Sequence, residues 1–204
     1  MRGLLTSEDK ERIMDFFLFP SSLSAYWAGF LMADAALSPS GRLSLVITDR
    51  DHLRDYCGAL GLSPRLFIKK RPLPTKSTHS QQWMVRFTLP HLVPILDRWG
   101  IRPNKSNQYI EPLIPGEDLF AAYLSGVTDG DGHYRAPRTW NLVGNRLFLN
   151  WLRTRLESRG FDIRERDVHP DRPYSRLRCT DEGLIRMLAH PSQLPRKRLP
   201  CLSV

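Results

Sequence analysis

Two aspartates, Asp34 and Asp131, are the residues most able to do chemistry in this chain. Each closes a short apolar stretch with small residues near its middle. The first stretch is Trp27-Ala28-Gly29-Phe30-Leu31-Met32-Ala33-Asp34, and the second is Leu124-Ser125-Gly126-Val127-Thr128-Asp129-Gly130-Asp131-Gly132. Both read as helices. The last turn of a helix carries partial negative charge from its unpaired carbonyls, so a carboxylate there is disfavoured. One such acid would simply cap or face solvent. Two in matched settings argue for a positive charge between them, and a divalent cation is the natural occupant because hard cations take oxygen ligands. Without a cation the two carboxylates would repel; with one they could orient a phosphodiester and activate water.

The elements that must position these acids form a repeat. In the first half the pattern predicts a helix over 23–33 and strands over 35–38 and 42–47. A helix over 52–60, strands over 65–71 and 83–88, and a closing helix over 90–99 follow. In the second half the same order falls at 119–128, 133–135, 139–143, 146–159, 161–167, 174–179 and 181–188. Pro39-Ser40-Gly41 and Ala136-Pro137-Arg138 mark turns, and Gly61, Gly100 and Gly160 stand just past helices, where glycine is favoured. An extra helix over 8–19, with Ser7 as its N-cap, precedes the repeat. The division is a 1–20 helical extension, a first half over 21–101, a proline-rich linker over 102–115 and a second half over 116–204.

The second motif resembles the LAGLIDADG sequence of homing endonucleases almost letter for letter, and the first is a looser copy. Met32 stands where that family has an acid, and Ala35 where it has glycine. The resemblance runs from about Ser21 to Arg198. It implies an α+β fold of two pseudo-twofold related αββαββα halves, with the motif helices packed at the centre and a saddle-shaped sheet surface for DNA. Ala28, Gly29, Ser125 and Gly126 are small enough to let those helices approach. The resemblance further implies a magnesium ion (manganese as a substitute, calcium supporting binding better than turnover) held by Asp34 and Asp131 beside Ala33 and Gly130. It makes Lys105 and Lys197 the active-site lysines, although Arg196 or Arg198 could replace Lys197. Asp49 matches a polar residue that positions water, and equally suits a helix N-cap.

Charge and spacing support a nucleic-acid partner. The 204 residues carry a formal net charge of +9, which favours polyanions. Charge alone would equally fit a ribosome-associated basic protein. Arg164, Arg166, Arg176 and Arg178 alternate, as do Arg65, Lys69 and Arg71, so each set is expected on one face of a strand pair. Lys70, Arg86, Arg42, Lys76, Arg135 and Arg138 add to this candidate surface for double-stranded DNA. Three cysteines without paired spacing argue against a zinc site or a disulfide framework. The six histidines show no metal-nuclease pattern. The N-terminus lacks the apolar core of a secretion signal, which places the expected protein in the cytoplasm, associated with the nucleoid, and the resemblance implies that it acts as a monomer. A cleavage-deficient maturase or transcription regulator on the same scaffold is the alternative.

Overall fold

The computed structural model describes residues 4–71, 81–105, 111–135, 139–167, 174–188 and 194. Within them the α+β order appears twice. The first half runs α2 (Ser22–Asp34), β1 (Ala35–Leu37), β2 (Arg42–Ile47), α3 (Arg50–Ala59), α4 (Pro64–Phe67), β3 (Ile68–Lys70), β4 (Trp83–Thr88) and α5 (Leu92–Asp97). The second runs α6 (Glu117–Asp131), β5 (Gly132–Arg135), β6 (Thr139–Asn145), α7 (Arg146–Glu157), β7 (Arg164–Asp167), β8 (Tyr174–Cys179) and α8 (Glu182–Met187). Each half holds a four-stranded antiparallel sheet, ordered β1-β2-β4-β3 and β5-β6-β8-β7. The hairpins even share register: Ala35 faces Leu45 as Gly132 faces Leu142.

The two motif helices form the centre. A helix that is apolar all round must be buried, and α2 is buried continuously from Ser24 to Leu31. Its contact with α6 is backbone on backbone. A Cβ added at Gly29 would lie 1.9 Å from the Tyr123 carbonyl oxygen, and one at Gly126 would lie 1.9 Å from the Tyr26 carbonyl oxygen. Only glycine fits at either position. The outer helices and the inner faces of both sheets close the core around this pair, through Leu43, Leu45, Val85, Phe87, Leu142 and Leu177.

Two local expectations are corrected. The leading helix α1 (Ser7–Leu18) is capped by Thr6, not Ser7. Thr6 Oγ1 accepts from the Asp9 amide while the Asp9 carboxylate accepts from the Thr6 amide. A Ser7 cap would put Lys10 at the third helical position, where a lysine cannot return the second bond. The strand expected over 65–71 is mostly replaced by the turn of α4, because Pro64 at its first position presets the helical φ. Arg65 therefore lies on a helical turn and not on the sheet.

Among the described residues no single helix is long and apolar enough to cross a membrane.

Candidate metal centre and nucleic-acid interface

The motif helices stay in contact to their last residues. A Cβ on Gly130 would lie 2.2 Å from the Ala33 Cβ and 3.4 Å from Asp34 Oδ2. The Asp34 carboxylate thus rests against Gly130, the neighbour of Asp131, and both aspartates are exposed. Beyond them the chain turns at once into β1 and β5 with extended backbone at Ala35 and Gly132. Each sheet therefore begins at the site. A cavity of about 110 Å³ opens beside Asp131, lined by Ala33, Lys105, Asn145 and Tyr174 over an apolar floor that includes Val127 and Phe148.

Lys105 is the cation of this site. Its ammonium donates to the carbonyls of Leu31 (2.9 Å), Met32 and Ala33 (3.0 Å) in the last turn of α2. A positive charge is favoured at that end of a helix. It offsets the misplaced charge of Asp34. Burial pushes the lysine down to about 8, against the opposing pull of Asp131 and Asp34.

The residues present fit a hard divalent cation. The donors are all oxygen: two carboxylates and the carbonyls of Ala33 and Gly130, at helix ends that carry partial negative charge. Among the described residues no group of three or more His, Cys, Asp or Glu side chains converges. A cation held by two carboxylates must keep several waters, which suits magnesium better than calcium or zinc. The Ala33 carbonyl is shared with Lys105.

A third acid lies beneath the exposed pair. Asp129 is buried, and its Oδ2 accepts from the Tyr26 hydroxyl (2.6 Å) and the Leu194 amide (2.6 Å). The Tyr26 oxygen also meets His52 Nε2 at 3.2 Å, and His52 is itself buried between the rings of Trp27 and Phe30. With the hydroxyl proton given to Asp129, His52 is left to donate. The tyrosines Tyr26 and Tyr123 sit at matching places in the two motifs, one residue before the segments that the sequence comparison aligned. That repeated tyrosine was the available signal. Asn145 falls where the repeat puts the second-half counterpart of Asp49, near Gly144 or Asn145, and that was its signal; Tyr174, which also lines the cavity, had none.

Asp49 serves as the N-cap of α3, accepting from the His52 amide at 3.1 Å. Asn145 caps α7 in the same way, through the Leu147 amide at 2.9 Å. Of these two caps, Asn145 lines the cavity.

The pairing registers sort the cationic residues by face. On the first sheet Arg42 faces Thr88, Arg86 faces Ser44 and Lys69 faces Met84, so these three side chains share the outer face. Arg71 continues the β3 edge, its amide bonded to the Gln82 carbonyl at 2.9 Å, and two steps from Lys69 it joins the same face. Lys70 faces Trp83 and so belongs to the reverse side of the sheet, a second correction to the expected surface. On the second sheet Arg164 faces Arg178 and Arg166 faces Arg176. Arg135 faces Thr139 at the far edge of that same face. Like charges placed directly across a sheet destabilise it. Arg164 and Arg178 therefore concentrate positive charge on that face. Lys76, Arg138 and Lys197 lie outside the described residues, as do Arg196 and Arg198.

No protein-family model and no curated protein matches this chain. Its fold is nevertheless shared with solved structures. The homing endonuclease I-WcaI, bound to its DNA recognition sequence, matches with a TM-score of 0.63 at 11% identity, over 96% of this chain and 92% of that one. I-DmoI in complex with DNA and calcium matches at 0.57 and 12% identity, over 86% and 95%. Full-length DUF199/WhiA from Thermotoga maritima matches at 0.53 and 13% identity over 88% of this chain, which spans only 59% of that protein. At such identities the likeness is one of fold, and the fold is that of the LAGLIDADG homing endonucleases.

Proposed function

We propose that this homing-endonuclease-fold chain is a site-specific endonuclease that hydrolyses both strands of double-stranded DNA at a long, asymmetric site. A divalent cation, magnesium first, would be held by Asp34 and Asp131 with the Ala33 and Gly130 carbonyls. The observation that carries this reading is the delivery of two motif aspartates to one place by helices whose backbones touch. A purely binding protein has no need of that arrangement. When bound, the cation supplies positive charge against the phosphate and makes nearby water more acidic.

The chain's own residues do the rest. The carboxylates fix the cation at the junction of the halves. Lys105, held by three carbonyls, keeps a fixed positive charge beside the scissile phosphate, where charge develops during displacement. Lys197 would serve the second half. The basic outer faces of the two sheets bind the backbone and present arginines to the major groove, where arginine can take guanine O6 and N7 together. One chain supplies both halves, so a monomer suffices, and the unequal halves call for an unequal site.

The test is cleavage of a pool of randomised duplexes by wild type, Asp34→Asn and Asp131→Asn, each with magnesium and with EDTA. Magnesium-dependent double-strand cuts at one site, reduced to nicks or lost in either variant, support the endonuclease. Sequence-selective binding without cuts under magnesium or manganese would establish the second reading instead, a regulator or maturase that binds and does not cleave. One observation favours that second reading: the Lys105 ammonium already occupies carbonyls at the end of α2.

A further inference from the structure

The two sheets differ most in the row of outward side chains nearest the aspartates. In the first sheet that row runs Lys69, Met84, Val46 across β3, β4 and β2. In the second, Arg176 and Val143 hold that row across β8 and β6. The hairpin registers match, so Met84 stands where the second half has Arg176. One row further out both halves keep an arginine beside a polar residue, Arg86 facing Ser44 in the first and Arg178 facing Asn141 in the second, where Arg164 is added on the other side.

This places an apolar island inside an otherwise cationic face. Met84 and Val46 are directly paired and both only half-buried. Each borders a surface groove that also holds Arg42 and Arg86. An apolar pair kept open on a polyanion-binding face has a specific complement in the major groove. Thymine presents its C5 methyl there, the one apolar group on any base edge, while guanine presents two acceptors suited to arginine. An arginine could not be exchanged for methionine on such a face without changing which base is preferred.

We infer that the two half-sites differ in base class at their inner positions: the first sheet selects thymine through Met84 and Val46, and the second selects guanine through Arg176. This rests on the duplex-DNA reading and refines it. Lys69, at the end of the apolar row, grips phosphate and carries no such preference.

Selection from randomised duplexes by wild type in calcium, followed by sequencing, should return thymine at the inner positions of one half-site and guanine at those of the other. Replacing those thymines by deoxyuridine removes only the methyl groups and should weaken binding several-fold, whereas the same replacement elsewhere should not. Met84→Arg should move the first half-site toward guanine by about tenfold, the usual discrimination of one bidentate arginine. Arg176→Met should relax guanine preference in the other half-site. Equal guanine preference on both sides, or indifference to deoxyuridine, overturns the inference while leaving duplex binding intact. Absence of any selective duplex binding overturns the DNA reading itself.

Discussion

The two motif helices occupy equivalent places, yet they are tied down differently. Tyr26 on α2 donates to the buried Asp129 of α6. Its counterpart Tyr123 has only Met32 at the matching place on α2, and its hydroxyl goes instead to the Trp99 carbonyl at 2.9 Å. Ser125 donates to the Leu188 carbonyl at 2.6 Å, a bond that Ala28 cannot copy. Backbone contact at the glycines is symmetric, while the polar bonds around it are not. Close packing requires small residues at both positions and tolerates no exchange. Hydrogen bonds can be satisfied by whichever acceptor lies within reach, so sequence drift separates the halves there first.

The largest effect should come from the symmetric part. Gly29→Ala and Gly126→Ala each drive a Cβ into an opposing carbonyl, which has no side chain to swing aside. Each should cost about 3 kcal/mol or more in urea denaturation, by equal amounts. Gly58→Ala, in the open on α3, should instead be neutral or stabilise by about 0.5 kcal/mol. Tolerance at one glycine alone would show that the halves do not share the contact equally.

Lys105 gives the next effect, and it belongs to the first half. Burial lowers it to about 8 from an ordinary 10.5. Between those values the unfolded chain holds a proton that the folded chain releases, so stability should climb with pH through that window. The rise attributable to this group is roughly 3 kcal/mol. Below pH 8 both states are protonated and the slope vanishes. Comparing wild type with Lys105→Met in EDTA isolates the contribution, because the other titrating groups are common to both. An unchanged slope in the variant would mean that the ammonium sits in water, not on the α2 carbonyls.

How much of this was legible in the sequence follows the same division. The repeat, the order of its helices and strands and the two motif aspartates could be read because each rests on spacing and residue type along the chain, whereas the exposure of those aspartates could not. The glycines could be read as small residues, but not as positions where backbone meets backbone. Lys105 could be placed in a loop after the first half, while its seat on Leu31, Met32 and Ala33 depends on a fold-back of more than seventy positions. Arg65 and Lys70 were misread for local reasons. A proline restarted a helical turn at the one, and the pleat turned the other to the reverse face. Asp129 drew no role from its place in the motif, and only the packing shows it buried and bonded to Tyr26 and Leu194.

The asymmetry at Asp129 and Met32 supports a smaller prediction. Asp129→Leu removes the acceptor of two bonds and leaves the Tyr26 hydroxyl buried without it. The cost should be about 2 kcal/mol in thermal or urea melts. Met32→Leu, a swap of similar volume, should cost under about 1 kcal/mol. Restoring the family-like acid with Met32→Asp should not stabilise, because the Tyr123 hydroxyl already has the Trp99 carbonyl. A gain in stability would show that the halves can be made symmetric after all.

The smallest effect separates the two sheet faces. Arg178 lies directly across from Arg164, whereas the matching Arg86 lies across from Ser44 and donates to its hydroxyl at 3.3 Å. Arg178→Gln should therefore relieve repulsion and stabilise the free protein by a few tenths of a kcal/mol, while Arg86→Gln should not. Both variants lose one cation from the outer face of a sheet. If those arginines reach phosphate, each should lower the slope of log affinity against log salt by about 1. The sign of the stability change and the drop in slope are independent readings. A protein in which Arg178→Gln stabilises without altering the salt slope has an arginine cluster that repels itself but does not touch DNA, and the second sheet would then have to be removed from the interface.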